Sequence, residues 1–350
     1  MEDNLTRVPS DELKNFSVEV FSKAGVPRGD AETESEVLIW ANLRGVDSHG
    51  VLRIPLYLGW IDKGIMKPKP NIQIVNETQA TFLIDADLAL GPVVTTMAMN
   101  KAIEKAKNAG IGWGLIRNTT HQGAMAYYSL MAAEQNMAGL ASVCSPANMA
   151  PHGARVPGVH NSPIAIAVPG LKHKPISLDM ATSVAAGGKL EFAKDKGVSI
   201  PNTWALDSDG KPTTDPKQFK SLLPFGGPKG SGLALMFECL SSLMVGNPLL
   251  QPPEPDKSKI VRGMQNSFVA AINISTFTDT DSYRENVDRL VQGIKSLPKT
   301  DEAKEIFVPG EIENRVYEDR SANGIPLPQG TVQNLREASE RFNVPLPNGL

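Results

Sequence analysis

His49 and His121 are each followed at once, or one residue later, by glycine: His49-Gly50 and His121-Gln122-Gly123. Glycine permits a tight turn, so each imidazole stands where a loop can present it to a partner. Imidazole titrates near neutral pH, which suits a group that carries a hydroxyl proton. Arg53 lies four residues beyond His49, and Tyr57 four beyond Arg53. On a helix all three would share one face, although Pro55 limits how far a helix can run through them. A guanidinium fork can grip a carboxylate in two parallel hydrogen bonds, which makes Arg53 a candidate substrate clamp. The competing reading is a solvated arginine on a helix face with Tyr57 packed beneath it. His173, in Lys172-His173-Lys174, reads as solvated, while His152 and His160 bracket a loop rich in proline and glycine and read first as ordinary loop residues.

Other chemistries lack their signatures. Gly110-Ile-Gly112-Trp-Gly114 has neither the final glycine nor the following helix of a dinucleotide fingerprint, and Gly226-Gly-Pro-Lys-Gly-Ser231 has the wrong spacing for a phosphate-binding P-loop. That second segment remains open to two readings: an anion cradle of glycines, Lys229 and free helix N–H groups, or a plain capping turn. No GxSxG elbow supports a serine nucleophile. The two cysteines, Cys144 and Cys239, are far apart and without CxxC or Cys/His spacing, which argues against a disulfide or a metal site. A net charge of -3, with lysine and arginine scattered, argues against a nucleic-acid partner. A polar N-terminus and the want of any long apolar run argue against a membrane and for a cytoplasmic protein.

The elements that must position these residues alternate in type. Helical spacing predicts helices over 11–24, 30–44, 91–109, 124–135, 233–245, 283–295 and 331–342. Short apolar runs predict strands over 72–75, 81–84, 111–116, 139–144, 164–168, 176–179 and 268–273. Gly187-Gly188 reads as a break, 248–255 as a proline-rich surface loop, and Val308-Pro-Gly-Glu311 as a turn. The pattern is α/β or α+β, with no repeat, in one large or two medium domains.

The motifs, taken together and in order, resemble one family. They are Arg44-Gly-Val-Asp-Ser-His-Gly-Val-Leu-Arg-Ile-Pro-Leu-Tyr57, His121-Gln-Gly-Ala124, Leu178-Asp-Met-Ala-Thr-Ser183, Ser199-Ile-Pro-Asn-Thr-Trp-Ala205, Pro212-Thr-Thr-Asp215, Leu223-Pro-Phe-Gly-Gly-Pro-Lys-Gly230 and Pro309-Gly-Glu311. The chain resembles the malate/L-lactate dehydrogenases, a family separate from the Rossmann lactate dehydrogenases that includes ureidoglycolate dehydrogenase and 2,3-diketogulonate reductase. Thr203-Trp204-Ala205 and Gly227-Pro228-Lys229-Gly230 lean toward the ureidoglycolate branch.

The resemblance implies a non-Rossmann fold with a mixed, largely antiparallel sheet in two main domains. Residues 1–75 with 276–350 would form a substrate and dimerisation domain, and 76–275 an NAD(P)-binding domain. It implies a homodimer with the active site at the subunit cleft and a hydride passing between nicotinamide and a small 2-hydroxy or 2-oxo acid. His121 would be the acid/base with His49 beside it; Ser48, His49, Arg53 and Tyr57 would bind the substrate. Ser145, Asp179, Met180, Ala181, Lys229, Gly230, Gly310 and Glu311 would contact the cofactor. Gly187 and Ile312, placed near the adenosine ribose, offer no charge to a 2′-phosphate, so NAD is favoured; Lys172 and Lys174 keep NADP open. Two departures bear on substrate identity: His160-Asn161-Ser162-Pro163 stands where the family has Gly-Thr-Asn-Pro, and Gln122 stands where a small or apolar residue is usual. An imine reductase acting on cyclic or N-alkyl imino acids is the alternative activity. A catalytically silent dinucleotide-binding protein is argued against by the presence of both His49 and His121.

Overall fold

The computed structural model describes residues 5–250 and 264–350. The chain opens with β1 (Thr6–Val8), α1 (Ser10–Lys23) and α2 (Arg28–Leu43). Asp11 and Glu12 in the first turn of α1 and Lys23 in its last suit the helix dipole. After α2, two 3-10 turns at Asp47–His49 and Val51–Arg53 lead into α3 (Ile54–Asp62). Pro55 sits in the first turn of α3, where its missing N–H costs nothing. His49, Arg53 and Tyr57 therefore do not share one helix face: the helix starts at the proline rather than running through it.

Next come β2 (Gln73–Glu77), β3 (Thr81–Asp85), α4 (Gly91–Ala109), β4 (Ile111–Thr119), α5 (Met125–Glu134), β5 (Met137–Cys144), β6 (Ile164–Val168) and β7 (Ile176–Met180). Gly110, at φ +80°, takes the left-handed conformation that ends α4, as its position after a helical run foretells. Then α6 (Gly187–Lys196), β8 (Ala205–Leu206), β9 (Ser221–Leu222) and α7 (Pro228–Glu238) follow, α7 continuing as a π-helical turn to Leu243. The chain closes with β10 (Gln265–Asn273), α8 (Thr280–Lys295), α9 (Glu311–Asn323), β11 (Ile325–Leu327) and α10 (Gln329–Phe342).

Several expectations are corrected here. Gly187-Gly188 opens α6 instead of breaking the chain, because Gly at a first turn is tolerated where Gly in mid-helix is costly. The turn expected at 308–311 is present, closed by the Glu311 N–H on the Val308 carbonyl at 3.2 Å, and it leads into α9, a helix the sequence reading lacked because its apolar residues form no stripe; none of its residues is buried. α7 begins at Pro228 rather than Leu233, since proline is at home in a first turn. Of the expected surface loop 248–255, residues 251–255 lie outside the described residues.

The main sheet has seven strands in the order β2-β3-β4-β10-β5-β6-β7. Only β3 and β4, joined through α4, pair in parallel; the other neighbouring pairs are antiparallel. The mixed, largely antiparallel α/β fold is as expected. On β10 the alternation of a strand decides the layers: Val269 and Ala271 face a core with α4 and α5, while Phe268 faces Phe237 of α7 and Leu115. A separate core gathers both ends of the chain: Leu13, Phe16 and Phe21 of α1, Leu38 of α2, Tyr57 of α3, and Ile325, Val332 and Leu335 near the C-terminus. The β1–β11 pair ties the two ends by hydrogen bonds as well.

Candidate active site

The N-terminal substrate candidates are presented by a turn that the chain ties down in detail. Asn42, buried at the end of α2, accepts the Val51 N–H at 2.8 Å and donates to Asp47 at 2.7 Å. Arg320 of α9 holds both oxygens of Asp47, at 2.6 and 3.0 Å. With its base fixed in this way, the turn carries Ser48, whose hydroxyl lies 2.9 Å from Nδ1 of His49. Arg53 folds back and donates through Nε to the Ser48 carbonyl at 2.6 Å. Its two terminal nitrogens have no hydrogen-bond partner among the described residues, so the outer edge of the fork is left for a ligand.

His121 arrives from the sheet side, on the loop between β4 and α5, and meets this turn. The rings of His49 and His121 stack with centroids 5.3 Å apart. Nδ1 of His121 takes the Tyr57 hydroxyl at 2.6 Å and the Gly123 N–H at 3.2 Å. The backbone N–H can only donate, so Nδ1 is the acceptor and the proton of the neutral ring sits on Nε2. Nε2 has no partner among the described residues. Burial, with the positive environment of His49, Arg53 and His160, drives the affinity of His121 for a second proton well below the ordinary imidazole range. Burial likewise lowers His49 to about 4, with Arg53 adding to the effect. The ring is neutral, with the Arg53 guanidinium acting against its second protonation.

The loop is pinned by its neighbour. Gln122 is 1% exposed. Its N–H donates to Gln265 at 3.2 Å, its carbonyl accepts the Tyr128 hydroxyl at 2.5 Å, and its Oε1 accepts Thr95 at 2.8 Å. Gln122 thus anchors His121 from beneath instead of lining the pocket, which removes it as a source of substrate selectivity. No pattern in the sequence could announce this, because the partners come from β10, α5 and α4. Gly91, at the start of α4, allows the close approach: a Cβ there would lie 2.2 Å from the His121 carbonyl oxygen. The atoms it would meet, the His121 carbonyl and the Gln122 Cα, belong to backbone and cannot yield. Gly91→Ala should therefore lower stability by about 2 kcal/mol and reduce kcat together. A melting temperature and a kcat both equal to wild type would show that the loop is not held against α4.

The second group of candidates collects around β7. β5 and β7 both run antiparallel to β6, and Ser142, Ile164 and Met180 lie abreast. Ser145 and Ala181 therefore leave the sheet on the same side. Lys229 and Gly230 come to this place because α7 packs on Thr182; a Cβ on Gly230 would meet the Thr182 carbonyl at 2.4 Å. Gly310, at φ +93°, abuts Ser177 on the same strand. Asp179 accepts the Ala126 N–H at 2.8 Å at the start of α5, five residues past His121, and so links β7 to the His121 loop. Burial pushes Asp179 up to about 6, against the pull of that N–H.

Two details differ from the sequence reading. The N–H groups of Lys229, Gly230 and Ser231 already bond to Gly226, Phe225 and Gly227 carbonyls, so an anion there would meet the Lys229 ammonium and not a row of free amides. The Glu311 carboxylate is engaged by Lys295 at 2.8 Å and by the Val308 N–H at 2.9 Å, and its own N–H donates to the Val308 carbonyl at 3.2 Å. His173 is not simply solvated: Nε2 lies 3.4 Å from Glu311 and Nδ1 lies 2.6 Å from the Lys174 carbonyl. The Gly187-Gly188 turn stands close to Ser48, with a Cβ on Gly188 reaching within 3.2 Å of the Ser48 Cβ. His160 is 9% exposed and lies 3.3 Å from the Ser162 hydroxyl, so it is a buried histidine and not an ordinary exposed loop residue.

The family model for malate/L-lactate dehydrogenase matches residues 8–336. The chain belongs to the malate/L-lactate dehydrogenase family. It is 40% identical over 329 residues to the L-sulfolactate dehydrogenase of Methanocaldococcus jannaschii, across 93% of this chain and 94% of that one. To the ureidoglycolate dehydrogenase (NAD(+)) of Escherichia coli K12 it is 30% identical over 314 residues, across 89% and 90% of the two chains. The crystal structure of malate dehydrogenase from Entamoeba histolytica superposes with a TM-score of 0.94 at 31% identity, over 98% of this chain and 100% of that one. Identity to the sulfolactate enzyme exceeds that to the ureidoglycolate enzyme, against the direction in which Thr203-Trp204-Ala205 points. The protein is accordingly an oxidoreductase of the hydroxy-acid dehydrogenase class, and membership of the family implies a nicotinamide cofactor. Among the described residues no helix is long and apolar enough to cross a membrane.

Proposed function

We propose that this enzyme moves a hydride between NAD and a small 2-hydroxy or 2-oxo acid, with His121 as the general acid/base. The observation that carries this reading is the pairing at the cleft of a neutral imidazole, its Nε2 unpartnered, with an Arg53 fork whose outer nitrogens are also unpartnered. Arg53 grips the substrate carboxylate, Ser48 and His49 bound it on one side, and Tyr57 holds His121 from behind. The C2 oxygen, next to the gripped carboxylate, then falls to His121.

The residues around β7 fit a dinucleotide. Lys229 supplies a cation, Gly310 a backbone turn without a side chain, and Ser145, Asp179, Met180, Ala181, Gly230 and Glu311 are spread along the same strand, with Gly310 and Glu311 at its Ser177 end and Ser145, Ala181 and Gly230 at the other. When bound, the nicotinamide supplies or accepts the hydride. That the ureidoglycolate relative is an NAD(+) dehydrogenase supports NAD here. Lys174, one of two lysines that keep NADP open, is paired with Glu318 at 2.6 Å. We assign 1–75 and 276–350 to a substrate and dimerisation domain and 76–275 to the cofactor domain; the shared core of the two chain ends supports the division. The exposed apolar residues Leu233, Met236, Leu240 and Leu243 along α7 and its extension support a homodimer.

A panel of 2-oxo acids with NADH, and separately with NADPH, tests the activity by loss of reduced-cofactor absorbance. Malate-type, sulfolactate-type and ureidoglycolate-type acids should be told apart by kcat/KM. Turnover of oxo acids only in the presence of an amine would replace the proposal with the imine reductase.

A further inference from the structure

No residue of α9 is buried, so core packing does not account for where this helix lies. Contacts at its two ends and along one flank hold it instead. At the N-terminus Gly310 sits against Ser177 of β7, whose N–H donates to the Pro309 carbonyl at 3.1 Å, and Lys295 of α8 holds Glu311 at 2.8 Å. At the other end Arg7 of β1 donates to Asp319 at 3.2 Å and to the Gly324 carbonyl at 3.0 Å. Between these anchors the helix meets the segment that carries the substrate candidates. Arg44, itself buried, donates to Asn314 at 2.7 Å, and a Cβ on Gly45 would lie 3.1 Å from Val316. Arg320 donates to both oxygens of Asp47 and to the carbonyl of Asn42.

An isolated ion pair at a surface contributes little, because water screens it and two long side chains must be ordered to form it. The Arg320–Asp47 pair differs in kind. It is bidentate, the Arg320 side chain is 13% exposed, and the further bond to the Asn42 carbonyl fixes the plane of the guanidinium. From Asp47 the constraint passes along short bonds. Asp47 also accepts the Asn42 amide at 2.7 Å, and Asn42 in turn accepts the Val51 N–H at 2.8 Å. A Cβ on Gly50 would fall 2.1 Å from that same Asn42 oxygen, so the turn has no room to move toward α2. The turn then aims Arg53, whose backbone N–H donates to the Gly50 carbonyl at 2.9 Å and whose Nε donates to the Ser48 carbonyl at 2.6 Å. We propose that Arg320 is a positioning residue for the carboxylate clamp: by holding Asp47 it fixes the turn from which Arg53 presents its outer nitrogens. This rests on the reading of Arg53 as the clamp. Arg320 has no part in the chemistry, since its bonds go to the turn and to the end of α2.

Arg320→Ala should raise KM for the 2-oxo acid by about tenfold, keep kcat within about threefold of wild type, and leave the dissociation constant for NADH, read by fluorescence titration, unchanged. A merely structural role would give another pattern: fewer folded molecules lower the apparent kcat and do not move KM. Asp47→Asn keeps the size of the side chain and gives up its charge; it should raise KM in the same direction by a smaller factor, and it gives the answer should the alanine variant fail to fold. In an Arg53→Lys background the fork is already gone, so adding Arg320→Ala should change KM by less than about twofold. A wild-type KM in both Arg320→Ala and Asp47→Asn, with KM still raised in Arg53→Lys, overturns the role of Arg320 alone. So does a full tenfold rise repeated in the Arg53→Lys background, which would place the effect of α9 elsewhere than on the clamp; both factors are about the size expected for a misaimed binding group. An unaltered KM in Arg53→Lys overturns the clamp reading and this inference with it.

Discussion

His121→Ala should lower kcat in both directions by about 10²- to 10⁴-fold while leaving the dissociation constant for NADH nearly unchanged. The loss follows from geometry. Nε2 is the one ring nitrogen left open, since Tyr57 and the Gly123 N–H occupy Nδ1. Removing the imidazole leaves no group at that place able to exchange a proton with the C2 oxygen. Cofactor affinity should survive because the candidates for that contact collect around β7, and the bond that joins β7 to the loop, Asp179 to the Ala126 N–H, does not involve the imidazole. Fluorescence titration with NADH and steady-state kinetics on the same preparation separate the two quantities. A kcat within about threefold of wild type would take His121 out of the mechanism. A large loss of NADH affinity would show instead that the ring supports the cofactor site.

Arg53→Lys should raise KM for the acid by about 10- to 100-fold, with a smaller fall in kcat. Lysine keeps the charge, so the electrostatic pressure that Arg53 places on His121 and His49 persists. What goes is shape. The Nε–H that bonds the Ser48 carbonyl at 2.6 Å fixes the plane of the guanidinium and points its outer edge outward. An ammonium has no such handle and cannot offer two parallel donors to a carboxylate. The comparison therefore separates charge from geometry, and an unaltered KM would exclude Arg53 as the clamp. Arg53→Ala, by contrast, should also let His121 accept a proton more readily, seen as an upward shift of the pH limb.

Much of the site was legible because its residues are close in sequence and of telling types. Ser48, His49, Arg53 and Tyr57 fall within one short segment, and His121 stands beside a glycine. The long helices and the apolar strands declared themselves by period. Less visible were α6 and α9, whose polar faces leave no stripe, and β1 and β11, which are too short to show alternation. His160 was given too little weight, since a histidine in a loop carries no mark of what lies across from it.

Residue chemistry by itself determined that an imidazole and a guanidinium were available for proton transfer and carboxylate binding, and ordered motifs pointed to the family. It could not say which nitrogen of His121 is open, because that depends on Tyr57 arriving from α3. Nor could it say that Gln122 anchors the loop, that α9 holds Asp47, or that Glu34 is buried without a hydrogen-bond partner among the described residues. Those are facts about groups brought together from opposite ends of the chain. Protonation state and orientation are set by burial and by hydrogen-bond partners, and both arise only when helices and sheet pack.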